Sequence, residues 1–288
     1  MAFCTNCGME LAAGARFCSG CGASQATAPG TAAAQAALAP PVEYTIEGDN
    51  LQVLRMKLVR GQEVYAEAGK MVYKTASVEW ESRASGQSLG DKIFGVLKRK
   101  LTGESLFFTY FRTVSEGGEV GFAGSYPGRI QAIRLEPGRS FLAQRDAFLA
   151  AESSVGFDVA LVKRIGAGLF GGEGFILERL TGPGTVFIHG GGDFITFELK
   201  PAEVLQIDTG CIVGFEDTVT YDVQFAGGIK TALFGGEGLF LATLQGPGKA
   251  IIQTMTLAKL RRELGMLRGG GEEHHGLPGL GSILGTED

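Results

Sequence analysis

The chain has 288 residues, of which 44% are hydrophobic, and this size suits one sizeable domain together with a small one. The formal net charge of −5 argues against broad electrostatic binding to nucleic acid. No apolar run approaches the ~18 residues of a membrane-spanning helix, and the N terminus shows no signal peptide. These features predict a cytoplasmic protein.

The N-terminal 21 residues hold four of the five cysteines, in the pattern C-x2-C-x10-C-x2-C. Two such pairs supply the four thiolates of a closed, structural zinc site. Disulfides are the alternative, but a reducing cytoplasm disfavours them. A redox-active site would need an apolar strand before Cys4, which is absent from the sequence. The pattern therefore predicts a zinc ribbon over residues 1–25, with one non-catalytic Zn2+ bound by Cys4, Cys7, Cys18 and Cys21. It resembles the ribbons at the ends of many bacterial proteins, which implies docking to a partner protein.

Residues 26–41 carry no charge, and Leu38 is their only large apolar residue. This composition predicts a flexible linker between the ribbon and the rest of the chain.

An internal repeat follows. The sequence Leu-Phe-Gly-Gly-Glu-Gly occupies residues 169–174 and recurs at 233–238, 64 residues later. Gly-Pro-Gly occupies residues 182–184 and recurs at 246–248 with the same offset. A shared offset at two landmarks indicates a duplicated structural unit.

A weaker first copy precedes these two. Gly103-Glu104-Ser105 matches residues 172–174, and Pro127-Gly128 matches Pro183-Gly184, with an extra hairpin expected within 109–126. A further landmark with apolar residues two apart, the period of one strand face, occurs three times. Its three sets are Gly61, Val64, Ala66, Met71; Gly138, Phe141, Ala143, Phe148; and Ala202, Leu205, Ile207, Ile212. The sequence thus predicts a mainly β, triplicated, barrel-like or β-helical body over residues 42–256 with pseudo-threefold symmetry.

These repeats, the Gly103-Glu104-Ser105 segment and the order of the units resemble the altered inheritance of mitochondria 24 family across residues 42–256. The resemblance implies a fold similar to the β-helix of the tryptophan RNA-binding attenuation protein, present three times. It also implies homo-oligomerisation, with a trimer favoured. The mitochondrial members look like membrane-organisation factors without a known catalytic residue, and this chain carries a zinc ribbon where they carry a targeting segment.

Several residues in the body are candidates for chemistry. Residues 166–171 spell G-x-G-x-x-G, but the strand-like Phe175-Ile176-Leu177 follows where a nucleotide site needs a helix. The repeated Glu104, Glu173 and Glu237 either converge to bind a cation or each accept backbone N–H groups in their own turn, which we favour.

His189, the only histidine outside the tail, cannot by itself build the open metal site of a β-helix enzyme. A polar residue at a strand end is the preferred interpretation of His189, and a small core or boundary residue that of Cys211.

Two basic amphipathic helices are predicted, at residues 87–101 and 257–268. For each helix there are three interpretations: packing on the body, contact with a partner, or peripheral contact with an anionic membrane surface. Packing on the body is the preferred one. Residues 269–288 are rich in glycine and are predicted to be disordered.

The first hypothesis is therefore a non-catalytic scaffold or adaptor, an oligomeric β body with a zinc-ribbon docking module. The alternative is a β-helix protein, enzymatic or not, that binds a small ligand or metal through the repeated glutamates or His189. RNA binding rests on the implied fold alone, and the acidic net charge speaks against it.

Overall fold

The computed structural model describes residues 2–3, 9–11, 19–21, 40–84, 107–163, 175–225 and 240–265. The chain divides into two compact units, Met1–Pro40 and Pro41–Asp288. In the first unit, strands β1 (Ala2–Phe3) and β2 (Glu10–Leu11) pair in antiparallel fashion, with Ala2 opposite Leu11. Most of the predicted linker, all of the predicted tail and the whole of the predicted helix at 87–101 lie outside the described residues.

The second unit is mainly β, which confirms the predicted fold class. Its strands are β3 (Glu43–Glu47), β4 (Val53–Val59), β5 (Glu63–Glu67), β6 (Met71–Lys74), β7 (Val78–Ala84), β8 (Phe107–Thr113), β9 (Gly117–Ala123), β10 (Gly128–Leu135), β11 (Ser140–Gln144), β12 (Phe148–Glu152), β13 (Gly156–Lys163), β14 (Phe175–Thr181), β15 (Gly184–Leu199), β16 (Val204–Asp208), β17 (Ile212–Glu216), β18 (Thr220–Phe225), β19 (Phe240–Gln245) and β20 (Gly248–Met255).

Side-chain alternation explains why these segments form strands. In β4, Leu54, Met56 and Leu58 are buried, and the residues between them point away from the core. This period of two covers one face of a sheet. By contrast, β11 and β12 are buried along their whole length, because neighbouring strands and side chains cover them on every side.

Three groups of three strands share one pairing order. The orders are β5-β8-β7, β11-β14-β13 and β16-β19-β18. Beside each group lies one further pair, β6 with β9, β12 with β15, and β17 with β20, and each pair has a one-residue register shift near its start. The shift follows Met71, Phe148 and Ile212, respectively. The landmark residues of the sequence repeat thus occupy corresponding strands, and pseudo-threefold symmetry itself stays a prediction.

The Gly-Pro-Gly turns require their last glycine. Gly184 has φ +143°, and a Cβ there would lie 2.7 Å from the Val155 side chain. Gly248 has φ +141°, and a Cβ there would lie 2.8 Å from the Val219 side chain. Both the conformation and the crowding exclude larger residues.

The match proposed for Gly128 is wrong. The chain passes through β9 before it reaches Pro127, so β9 and not β10 follows β8. A Cβ on Gly118 of β9 would meet the side chain of Val78 at 2.5 Å, the same kind of contact that Gly184 would make with Val155. The expected extra hairpin is therefore the β8–β9 hairpin itself, and β10 is the added strand, paired with β15.

Among its described residues, the body forms three hydrophobic clusters. The first contains Leu54 and Phe122, the second Phe148 and Leu180, and the third Phe215. Strand β15 is 16 residues long; its first half pairs with β10 and β12, and its second half pairs with β20. It therefore ties the middle of the body to its C-terminal part.

A helix, α1 (Leu257–Glu263), follows β20, and the Thr256 side chain caps it by accepting a hydrogen bond from the Lys259 N–H. The predicted helix thus begins at the expected residue but ends earlier, at Glu263, and 266–268 lie outside the described residues. Leu257 and Leu260 are half-buried and Leu264 is 59% exposed, so only the first turns of its apolar face pack on the body. Among the residues described, no helix is long and apolar enough to cross a membrane.

Candidate functional site

The predicted zinc site is described only in part. Cys4, Cys7 and Cys18 lie outside the described residues, and Cys21 lies exposed in the turn at 19–21. Strands β1 and β2 pair in antiparallel fashion, and the residues between them in sequence include Cys4 and Cys7. This arrangement fits a CxxC knuckle of a zinc ribbon.

The predicted roles of the three repeated glutamates cannot be compared with the structure. Glu104, Glu173 and Glu237 all lie outside the described residues, as does the G-x-G-x-x-G segment at 166–171. Phe175 does begin a strand, β14, as the sequence predicted. Among the described residues, no group of three or more His, Cys, Asp and Glu side chains is placed to hold a metal ion.

His189 does not lie at a strand end, which corrects the sequence interpretation. It lies inside β15, opposite Ile130 of β10, and is 3% exposed. The three glycines that follow it continue strand β15, and close neighbours leave little room for larger side chains at these positions. A Cβ on Gly191 would lie 2.3 Å from the Met255 carbonyl oxygen.

The His189 ring holds the turn between β9 and β10. Its Nε2 lies 3.1 Å from the Tyr126 carbonyl oxygen, and the two rings meet edge to face at 4.8 Å. The Nε2–H tautomer donates this bond and leaves Nδ1 buried without a hydrogen-bond partner among the described residues. A Cβ on Gly124 would lie 2.1 Å from Nε2, so glycine is required where the turn passes the ring.

Burial lowers the pKa of His189 to about 4, and the nearby Lys70 charge adds to the effect. The imidazole is therefore neutral at pH 7. A neutral ring whose one N–H is taken up by a backbone carbonyl is a structural histidine.

Sequence reasoning missed Gln253, which links three elements next to His189. Its Oε1 accepts from the Gly191 N–H at 2.8 Å and from the Tyr126 hydroxyl at 3.4 Å. Its Nε2 donates to the Gly210 carbonyl at 2.9 Å. The position gives no sequence signal, because a glutamine in a strand such as β20 is ordinarily a surface residue.

A second unexpected group is a set of charged side chains near the β5–β6 turn. The Lys70 ammonium lies 3.3 Å from a Glu67 oxygen and donates to the Ser125 hydroxyl at 3.1 Å. Glu178 of β14 is 2% exposed, and its Oε2 has no hydrogen-bond partner among the described residues. Desolvation, reinforced by the Glu67 charge, raises the pKa of Glu178 well above its usual value.

Glutamates with a clear structural role occur elsewhere in the body. One Glu152 oxygen accepts from the Thr185 N–H at 2.7 Å, and the other accepts from the Val42 N–H at 2.7 Å. Glu216 accepts from the Lys249 N–H at 3.0 Å. These are the backbone-capping roles that the sequence assigned to other glutamates, and they hold the strands that follow the Gly-Pro-Gly turns.

Cys211 lies half-buried in a short 3-10 turn, and its sulfur is 3.9 Å from the Lys259 ammonium. This matches the predicted boundary position and places the turn next to α1.

Comparison with known proteins decides the family. Residues 44–255 match the family model described as mitochondrial biogenesis AIM24, and residues 3–25 match a zinc-ribbon domain model. The chain belongs to the AIM24 family. This confirms the resemblance to the altered inheritance of mitochondria 24 family, and the ribbon match fits the cysteine pattern.

Two streptococcal proteins are similar to this family member. An uncharacterized protein of Streptococcus pyogenes serotype M6 is 30% identical over 221 residues, which cover 75% of this chain and 87% of that protein. A structural genomics crystal structure of another Streptococcus pyogenes protein superposes with a TM-score of 0.63 at 24% identity. It covers 79% of this chain and 98% of that one, and it supports the fold alone.

Proposed function

We propose that the protein is a non-catalytic adaptor of the cytoplasm, in which a zinc ribbon docks a partner protein and an oligomeric β body carries the ribbon. The observation that carries this proposal is the organisation of the chain. A zinc-ribbon match at 3–25 lies in one compact unit, and the AIM24 match at 44–255 lies in the other.

The ribbon would hold one zinc ion through Cys4, Cys7, Cys18 and Cys21. Four thiolates fill the tetrahedral shell, so the ion would join two CxxC pairs and leave no position for a substrate. A segment this short buries little apolar surface. Zinc binding would therefore supply most of its folding free energy, on the order of 10–16 kcal/mol.

The body supports a scaffold because its candidate polar residues hold backbone in place. His189 and Gln253 fix the turn between β9 and β10, and Glu152 and Glu216 cap strand starts. Each of these side chains makes a bond to a main-chain group. An active site instead needs groups aimed at a position where a reacting atom can bind.

A pull-down from cytoplasmic extract tests the adaptor role. The intact protein is compared with Cys4→Ser/Cys7→Ser, and Cys211→Ser serves as the control that removes a cysteine outside the ribbon. We expect a partner that the intact chain and the control retain and the ribbon variant loses. The same partners on all three baits would move recognition to the β body and overturn the role of the ribbon.

Ligand binding by the body is a second candidate, and the buried Glu178 favours it. Its Oε2 has no hydrogen-bond partner among the described residues, a costly arrangement that a bound cation or polar molecule would relieve. Native mass spectrometry of the intact protein tests this. A bound species beyond one zinc that Glu178→Gln abolishes would support ligand binding, and a mass that the chain and one zinc fully explain would exclude it.

A further inference from the structure

Two contacts between strand groups use the same pairing. Strand β5 pairs with β12, with Val64 opposite Glu152 and Ala66 opposite Ala150. Strand β11 pairs with β17 in the corresponding register, with Phe141 opposite Glu216 and Ala143 opposite Gly214. The chain therefore makes one type of antiparallel contact twice, with matching residues at each step.

A third contact of this type would join β16, the counterpart of β5 and β11, to β6, the counterpart of β12 and β17. These two strands do not pair with each other in the described part of the chain. Strand β16 corresponds to β5 and β11, because each is the first strand of its group in chain order and pairs with the middle strand. Strand β6 corresponds to β12 and β17 through the shared register shift. Within the described part of the chain, β6 pairs only with β9 and β16 only with β19. Each strand thus presents one unpaired edge.

Apolar side chains on β6 are exposed at positions that are buried in the other two copies. Val72 is 60% exposed, whereas the corresponding Leu149 and Val213 are 0% exposed. Met71 is 37% exposed, whereas Phe148 is 1% exposed. On the other edge, Val204 at the start of β16 is 55% exposed. The exposed positions of β6 therefore keep apolar residues although no strand pairs with this edge in the described chain.

Trp80 of β7 shows the same contrast. The corresponding Phe157 of β13 packs on the Phe108 ring of the preceding group at a centroid distance of 4.6 Å. Trp80 has no preceding group within the described chain, and it is 58% exposed. Like Val72, this apolar side chain is exposed where its counterpart in the second group packs on a neighbour.

We propose that the edge of β16 in one copy pairs antiparallel with the edge of β6 in a second copy. The register of the internal contacts places Leu205 opposite Thr75, Gln206 opposite Lys74 and Ile207 opposite Tyr73. The occupant is a second copy because both halves of the contact are already present in this chain and match in register. This contact deepens the proposed oligomeric body and rests on that part of the proposed function, and the zinc ribbon takes no part in it.

In the described part of the chain, β6 and β16 lie in separate sheets and do not pair with each other. Strand β6 belongs to the part of the body that packs around the first hydrophobic cluster, and β16 to the part around the third. The contact is heterologous, so two copies can exchange both edges, or more copies can close a ring. An exposed strand edge is a ready template for either assembly.

Cysteine cross-linking of the full-length chain tests the contact. One preparation carries Lys74→Cys, another carries Gln206→Cys, and the two are mixed under mild oxidation. Opposed residues in an antiparallel pair have Cα atoms about 4.5–5.5 Å apart, which lies within disulfide range. We expect a linked heterodimer in which mass spectrometry finds the peptides of positions 74 and 206 joined.

Asp222→Cys mixed with Lys74→Cys is the matched control. Asp222 lies in the same three-stranded group as Gln206, separated from it by Thr243 of β19. Two strand spacings put it about 10 Å from Gln206, beyond disulfide range of the docked β6. A yield no higher than this control would overturn the proposal. So would a disulfide that forms only within a single chain carrying both Lys74→Cys and Gln206→Cys.

Val72→Lys gives an independent readout. A lysine at this exposed position leaves the core of the single chain intact and places a charge in the proposed contact. We expect light scattering to show a loss of oligomer, with an unchanged circular dichroism spectrum, while Val72→Ile retains the wild-type mass. An oligomer that withstands Val72→Lys would contradict the proposal. The test is repeated in Cys4→Ser/Cys7→Ser, where self-association is expected to persist whether or not the ribbon recruits a partner.

Discussion

The two units of the chain are stabilised by different means. The body buries three hydrophobic clusters and caps its strands with Glu152 and Glu216. The described part of the N-terminal unit contains one pair of two-residue strands, and we expect zinc bound by its four cysteines to supply most of its folding free energy. We therefore expect the ribbon to unfold without loss of the body, so that the two units can be perturbed separately.

Zinc removal should produce the largest difference between the units. A strong chelator removes a term on the order of 10–16 kcal/mol from the ribbon and nothing from the clusters of the body. In hydrogen–deuterium exchange we expect residues 1–25 to exchange at unfolded rates and β4, β12 and β17 to keep their protection. Persistent protection of residues 1–25 in chelator would show that the ribbon folds without metal.

Within the body, two corresponding positions should respond unequally. Leu149→Ala empties a fully buried site and should cost about 2–5 kcal/mol of unfolding free energy. Val72→Ala changes a side chain that is 60% exposed and should cost less than about 0.5 kcal/mol at a concentration where the protein is monomeric. Urea unfolding measures both. Similar losses at the two positions would mean that Val72 is covered within a single chain.

Because of His189, the free energy of unfolding of the body should fall in mild acid. Its folded pKa of about 4 lies below the ordinary value of 6.5, so the unfolded chain binds more protons between these two values. Stability is fully present above pH 6.5 and falls by about 3 kcal/mol as the pH drops to 4. His189→Gln should flatten this part of the curve, whereas His274→Gln/His275→Gln should not. A curve unchanged by His189→Gln would show that the imidazole is not desolvated.

Glu178 should act with the opposite sign. Its folded pKa is raised above 4.5, so its contribution is fully present below pH 4.5 and is lost as the pH rises through the folded value. Glu178→Gln replaces the acid with a neutral isostere and should gain stability relative to the wild type above pH 4.5. Glu198→Gln, at an exposed position of β15, is the control and should be near neutral. An equal effect at both positions would mean that the Glu178 carboxyl reaches water.

Much of the fold could be predicted because its signals are local. The Gly-Pro-Gly turns, the apolar positions two apart and the Thr256 cap each depend on nearby residues. His189 could not be placed correctly, because the glycines after it serve a close approach to Met255 and Tyr126, which are distant in sequence. The burial of Glu178 could not be predicted, because it depends on β11 and β13, which flank its strand, and on residues distant in sequence. Gly128 was wrongly matched to Gly184, because the Pro-Gly pair at the start of the added strand β10 matches the Pro-Gly of the repeat landmark.

The most direct measurement is the zinc content of the purified full-length protein, determined by native mass spectrometry alongside Cys4→Ser/Cys7→Ser and Cys211→Ser. We expect one zinc per chain in the intact protein and in Cys211→Ser, and none in the ribbon variant, with the thermal unfolding of the body unchanged in all three. An intact chain that carries no zinc, or that keeps it after Cys4→Ser/Cys7→Ser, would contradict a zinc-held docking module beside a self-sufficient β body.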